Sequence, residues 1–299
     1  ITKGLSLKAL VNFKNWSETS YTRNIKSNIY RVKDGSYNPE TGEYDYQLLQ
    51  TGDQFLSQSG IGRNSDQTFY FDARLDWKRS FGDHNLTAMA MYMMREYRSD
   101  VLPNRNQGYS GRVTYDYASK YLVEFNFGYN GSERLAAGQR FEFFPAVSAG
   151  WVASSEKFWE PISKYINHFK IRGSYGLVGS DAFASGAPHF LYQNNIGIGS
   201  AHKFWTGLPT SEISKQGPGF YVLAVQDAGW EHVKKFDIGF DMMLFDQLNI
   251  TFDYFHDKRE RILMSRASWP SMLGYWGSKP WSNIGEVENQ GFELSLNWT

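Results

Sequence analysis

Residues 108–151 alternate with a period of two, and that alternation limits the fold more than any other feature. Tyr109, Gly111, Val113, Tyr115 and Tyr117 share one parity, and Ser110, Arg112, Thr114 and Asp116 share the other. After a very short turn, Tyr121, Val123, Phe125, Phe127 and Tyr129 alternate with Leu122, Glu124, Asn126, Gly128 and Asn130. Successive side chains of a strand point to opposite faces. Two neighbouring strands therefore carry one apolar, aromatic face and one polar, charged face. The fold depends on what lies against the apolar one.

The same pattern recurs along the chain. Leu5, Leu7, Ala9, Val11 and Phe13 oppose Ser6, Lys8, Asn12 and Lys14, with Leu10 an exception on the polar side. Phe69, Phe71, Ala73, Leu75 and Trp77 oppose Tyr70, Asp72, Arg74, Asp76 and Lys78. In 86–98 both parities are apolar, so Met89, Met91 and Met93 could face either way. A strand is expected over 144–152, entered through Pro145, since proline suits a strand start. Residues 153–167 form a connection of helical character, with Phe158, Trp159, Ile162 and Ile166 spaced for one face. Further strands carry Phe169 to Leu177, Phe236 to Leu244, Leu248 to Tyr254 and Phe292 to Trp298. Long polar loops are expected near 17–65, 178–229 and 262–285, the first with a short strand at 44–49.

No run of 18 apolar residues exists and the mean hydropathy is −0.51, so no transmembrane helix is expected. Such a measure is blind to β-barrels, whose lipid-facing residues are interleaved with polar ones. Aromatic residues make up 17% of the chain, as expected where rings sit at a membrane interface. A formal net charge of zero with no basic stripe argues against nucleic acid. The absence of cysteine excludes disulfides and thiolate metal sites.

The charges decide between a sandwich and a barrel. Charges confined to one face would be ruinous in a dry core, so that face must be wet. Wet interiors belong to large barrels. Connection lengths agree. Connections 81–85, 118–120 and 246–247 are short, and the fourth in that series is the helical 153–167; those between them are longer. Membrane barrels have short turns at one end and long loops at the other. Trp77, Tyr115, Tyr117, Tyr121, Trp151, Phe245 and Trp298 gather at the short-turn side, as an aromatic girdle would. The expected fold is all-β: a transmembrane antiparallel barrel, with residues 1–299 supplying about ten strands of a larger one. The chain starts and stops beside strands, which reads as part of a longer protein.

Specific segments then resemble a known family. Tyr121 to Asn126, Gly131-Ser132-Glu133-Arg134-Leu135, Arg140, and Phe144-Pro145-Ala146-Val147-Ser148-Ala149-Gly150-Trp151 resemble the SusC/RagA family of TonB-dependent outer-membrane transporters of Bacteroidetes. So do Lys170 to Gly176, Gly179-Ser180-Asp181, Trp230-Glu231, Phe236 to Asp241, and Asn283 to Glu293. Asn130, Glu133 and Asp237 depart from the family pattern, in turns and on the polar face. The resemblance implies a barrel of about 22 strands with an N-terminal plug. It implies drive by the TonB–ExbB–ExbD complex and a SusD-like surface lipoprotein as partner and lid. It also implies import of oligosaccharide or peptide across the outer membrane of a Gram-negative bacterium. Plug, TonB-box segment and final strands are expected to lie outside these residues.

Loop aromatics Trp205, Trp269, Tyr275, Trp276 and Trp281 are candidates for stacking on substrate or contacting the lid; the plainer alternative is packing of the loops. Arg134 and Arg140 lie in a family-matching loop, as ligand contacts or as structural pins. Arg74, Asp76, Arg112, Glu124, Arg172 and Asp241 are expected to face the lumen, guiding substrate or forming a hydrated charge ladder. No metal-ligand spacing, phosphate loop, dinucleotide fingerprint or nucleophile elbow appears. No cofactor and no catalytic residue is expected. The competing readings are a passive porin, a surface receptor, and a soluble carbohydrate-binding sandwich or hydrolase.

Overall fold

A computed structural model describes residues 3–99, 102–183, 187–199, 203–208, 211–266, 270, 272 and 280–298. The chain forms two compact units, one of residues 1–12, 69–96 and 104–299, the other of residues 13–68 and 97–103. Sixteen described strands are β1 (Leu5–Asn24), β2 (Ile29–Val32), β3 (Tyr46–Gln50), β4 (Ser57–Phe81), β5 (His84–Arg98), β6 (Asn104–Tyr117), β7 (Tyr121–Ser132), β8 (Phe141–Val152), β9 (Ile166–Ser180), β10 (Asn195–Gly197), β11 (Lys203–Leu208), β12 (Ser211–Gln216), β13 (Gly219–Val222), β14 (Glu231–Leu244), β15 (Leu248–Ser265) and β16 (Trp281–Trp298). Ten of them make one sheet in the order β1-β4-β5-β6-β7-β8-β9-β14-β15-β16. Each strand pairs with its predecessor in the chain once the small sheets β2–β3, β10–β13 and β11–β12 are set aside.

The register carries the two-faced pattern from strand to strand. Val113 lies opposite Phe125, Phe125 opposite Val147, and Val147 opposite Tyr175. Farther on, Ile171 meets Phe240, Phe240 meets Phe252, and Phe252 meets Leu294. Glu124, Ser148, Ser174 and Asp237 line up the same way on the other face. Among the described residues the apolar face stays open: Phe125 is 42% exposed and Leu294 60%. The ambiguity in β5 is resolved by ring contacts. Tyr92 packs against Phe71 and Tyr109, so Leu86, Ala88, Ala90 and Tyr92 take the aromatic face and Met89, Met91 and Met93 take the polar one.

Two hairpins close through residues in the left-handed region, Ala118 and Ser119 in one, Phe245 and Asp246 in the other. Two positive φ angles in succession give the turn whose twist matches the strands. None of these residues is glycine, so neighbours hold the conformation. Ser119 N–H donates to Asp116 Oδ1 at 2.9 Å, and Asp246 N–H donates to Asn167 Oδ1 at 2.8 Å. Beside these turns His84 Nδ1 lies 2.7 Å from the Tyr115 hydroxyl, Tyr117 and Tyr121 stack, and Trp159 stacks on Phe169. The connection after β8 consists of two 3₁₀ turns, 153–155 and 157–162, and Ile166 already opens β9.

Several strands outrun the expectation. β1 continues to Asn24 and β4 begins at Ser57, inside the stretch expected as loop. Both parities there are polar, so pairing proceeds without any hydrophobic rhythm to announce it. β8 starts at Phe141 rather than at Phe144. The proline is tolerated mid-strand because β9 pairs with β8 only from Ala146 onward. In the smaller unit β2 and β3 form a hairpin whose base is tied by Asp53 to the backbone of Lys26.

The lipid-facing assignment has a direct test in the intact protein. Phe125→Arg should cost about 2–4 kcal/mol of stability in lipid vesicles. Ser148→Arg, opposite Glu124 on the other face, should be close to neutral. Denaturant titration read by heat-dependent gel mobility measures both; equal losses would contradict the assignment.

Candidate functional site

The polar face holds a cage built around one guanidinium. Arg172 on β9 lies opposite Gly239 on β14, which lies opposite Asp253 on β15. A side chain at Gly239 would collide with the Asp253 carboxylate. Its absence lets Arg172 reach across a strand to Asp253, through Nη2–Oδ2 and Nη1–Oδ1 contacts of 2.7 Å each. Arg172 Nε also donates to Asp241 Oδ2 at 3.2 Å, and Nη1 lies 3.5 Å from Asp237. Thr251 Oγ1 donates to Asp241 Oδ1 at 3.3 Å. One cation thus faces three carboxylates. The surplus negative charge is stable only with water at hand, and all four side chains are partly exposed. A depression of about 390 Å³ adjoins the cage, lined by Glu124, Ser148, Lys170, Arg172 and Asp237 among others.

The remaining lumen candidates form separate local pairs. Arg74 and Asp76, two apart on β4, meet at 2.7 Å. Arg112 Nε donates to Asn126 at 2.8 Å and lies 3.6 Å from Glu124, which accepts a 2.7 Å bond from Asn126. Exposed pairs of this kind contribute about 1 kcal/mol or less each. They keep the wall charged yet balanced.

Among the described residues, two dry cores lie at the long-loop end of the sheet. Leu135, Phe144 and Trp230 form one, with Leu177 and Phe183 against it; Leu191, Ala228 and Leu263 form another, with Trp281 against it. Both loop arginines serve these cores. Arg134 lies over the Phe183 ring at 4.2 Å and donates to the Asp181 carbonyl at 3.0 Å; burial pushes its guanidinium below the ordinary arginine value. Arg140 Nε donates to the Leu135 carbonyl at 3.2 Å, while its own carbonyl accepts the Trp230 indole N–H at 3.1 Å. Of the aromatic candidates, Trp281 opens β16 and packs against the second core. Trp205 stands 61% exposed on the β11–β12 hairpin. Trp269, Tyr275 and Trp276 lie outside the described residues.

Sequence reasoning missed the clamp that joins three segments here. Asn283 Nδ2 donates to the carbonyls of Arg261, at 2.7 Å, and Gly229, at 3.1 Å. Its Oδ1 accepts from Gly229 N–H at 3.0 Å. Arg261 sits in a bulge of β15 with φ 58°, and a side chain at Gly229 would strike its guanidinium. Next to it, buried Glu231 accepts from Arg259 at 2.6 Å and from the Leu263 N–H at 3.2 Å. The Trp230-Glu231 and Asn283-Ile284-Gly285 segments carried this signal, but only the folded chain brings them together.

With this geometry in hand, known proteins supply a frame. A family model described as TonB dependent receptor-like, beta-barrel matches residues 4–299. TonB-dependent receptor P3 of Formosa agariphila is 32% identical over an alignment of 281 positions that covers 81% of this chain and 26% of that protein. TonB-dependent receptor SusC of Bacteroides thetaiotaomicron is 23% identical across 96% of this chain and 26% of its own. The solved RagAB peptide importer in its closed-closed state superposes with a TM-score of 0.70, covering 99% of this chain and 32% of the other. At 18% identity that likeness is one of fold. The chain spans about a quarter of the length of these curated relatives.

The clamp should be energetically visible. Asn283→Ala in the intact protein removes three hydrogen bonds and leaves partly buried backbone groups unpaired, a loss of about 2–3 kcal/mol. Hydrogen exchange should rise in 225–232 and 259–266, while the tight turns at 117–120 and 244–247 keep their protection.

Proposed function

The chain belongs to the TonB dependent receptor-like β-barrel family, and from that premise we propose that it forms part of the wall of an outer-membrane importer of oligomeric nutrients. The apolar face meets lipid and the Arg172 face lines the aqueous bore. One observation carries the reading: the sheet leaves its aromatic face bare while a surplus of carboxylates gathers on the other. In hydrocarbon every backbone group must be paired within the protein, which a closed barrel achieves. Energy comes from the TonB–ExbB–ExbD complex through parts of the protein outside these residues. A SusD-like lipoprotein is the surface partner, in keeping with the SusC likeness. The cargo is an oligosaccharide or a peptide, with glycans favoured; exposed rings such as Trp205 offer stacking surfaces to sugars.

Deleting the gene in its host and measuring uptake of labelled oligosaccharides and peptides tests this. One class of cargo should cease to enter, and removal of TonB should abolish the same uptake. Persistence without TonB would identify a passive pore, and loss of neither cargo would overturn nutrient import.

A further inference from the structure

The connection between β8 and β9 folds back over the outer face of the sheet. Val147, Ala149 and Trp151 share the lipid-facing parity of β8, and Phe169, Ile171 and Tyr175 share it on β9. Phe158 meets the Trp151 ring with centroids 6.2 Å apart, and Trp159 stacks on Phe169 at 5.2 Å. The two 3₁₀ turns therefore lie against the aromatic face at its short-turn rim, not over the Arg172 face.

The side chains of this connection divide by thirds. In a 3₁₀ turn, residues three apart eclipse one another. Over 157–162, Phe158 and Pro161 share one side, Trp159 and Ile162 a second, and Lys157 and Glu160 the third. Two sides are apolar and one is charged. Packing on the sheet does not hide the apolar sides: Phe158 and Tyr165 are each 62% exposed, and Ile162 is exposed as well. Tyr165 meets Phe245 of the neighbouring turn edge to face at 6.2 Å.

The backbone beneath these rings is fastened at both ends. Glu156 accepts from Lys120 Nζ at 3.1 Å and from the Tyr121 hydroxyl at 2.8 Å, beside the β6–β7 turn. Phe245 N–H donates to the Tyr165 carbonyl at 3.0 Å, and Asp246 N–H to Asn167 Oδ1 at 2.8 Å, in the β14–β15 turn. These ties hold the chain in place without covering Phe158 or Tyr165. The rings form an apolar patch continuous with the lipid-facing wall, and the neighbour of such a patch on that side is lipid.

We propose that residues 157–165 form an in-plane membrane anchor, with Phe158, Ile162 and Tyr165 set at the boundary between headgroups and acyl chains of the leaflet at the short-turn end. Interfacial amphipathic segments sink their apolar side about 5–10 Å into that boundary and keep their charges in water, here Lys157 and Glu160. Strand-end rings mark where the wall crosses the interface. This element reaches sideways from the wall into the leaflet, and so sets the depth of one arc of the sheet. The tight turns at 118–119 and 245–246 are too short to do the same. The inference rests on the lipid-embedded reading of the sheet, and no part of it depends on what the bore transports.

The test places one fluorescent thiol probe in the intact protein, folded in lipid vesicles and freed of any cysteine outside these residues, which have none. Phe158→Cys, Glu160→Cys and Phe125→Cys carry the probe in turn. The quenchers are lipids brominated near the headgroup, lipids brominated deep in the chain, and aqueous iodide. The probe at 158 should be quenched by the shallow bromines and be about fivefold less open to iodide than the probe at 160. The same probe at 160 controls for its own affinity for lipid. Heat-dependent gel mobility shows whether each variant is folded, and Tyr165→Cys replaces the variant at 158 if that one is not. Equal iodide access at 158 and 160 overturns the proposal. Shielding from iodide without bromine quenching also overturns it, since a second copy or another protein then covers the patch. Failure of the lipid-embedded reading looks different: the probe at 125 would escape the deep bromines, whereas failure of the anchor alone leaves 125 quenched and 158 wet.

Discussion

A backbone amide in hydrocarbon has no water to turn to, and the rest of this structure follows from that fact. Ten neighbouring strands satisfy one another's N–H and C=O groups along the sheet. The side chains are then free to divide by face. What would be the hydrophobic core of a soluble protein is turned outward, as the exposure of Leu294 and Phe125 shows. The charges take the face where water must be, and Arg172 with its three aspartates shows how far that goes. Such a cage in a dry interior would be heavily penalised; on a hydrated wall it is an ordinary cross-strand network.

The dry packing that remains serves the long connections instead. Leu135, Phe144 and Trp230, then Leu191, Ala228 and Leu263, hold the loop bases on the strand ends. Glycines matter here for what they leave open. Gly239 makes room for the Arg172–Asp253 contact, and Gly229 makes room for Arg261. Each is a point where two elements approach too closely for a side chain, and each lies in or beside a segment that resembles the SusC/RagA pattern.

Much of this was legible in the sequence, for a physical reason. Period-two alternation survives wherever one face meets lipid, so strands such as Tyr121 to Tyr129 announce themselves. Where a strand runs past the apolar band the rhythm stops, and β1 beyond Trp16 reads as loop although it continues to Asn24. β5 hid its orientation because methionine and alanine are apolar on both parities; the contact of Tyr92 with Tyr109 supplies the missing fact. The charged wall positions could be read from parity, but their partners could not, since Arg172 and Asp253 are 81 residues apart. The Asn283 clamp joins residues 229, 261 and 283, a coincidence that no local pattern encodes.

The left-handed turns and the loop-end clamp differ in how far along the chain they reach. The turn at Ala118–Ser119 joins neighbours, whereas the Trp230 indole finds the Arg140 carbonyl across 90 residues. Closing a long loop costs more entropy than closing a short one, and hairpins already formed shorten the effective distance. Assembly is therefore graded along the strand axis: ribbons zip from their tight ends, and the opposite rim is fastened only after the ribbons lie side by side. The rim acts as a latch on a finished wall, so a misregistered neighbour leaves it unfastened.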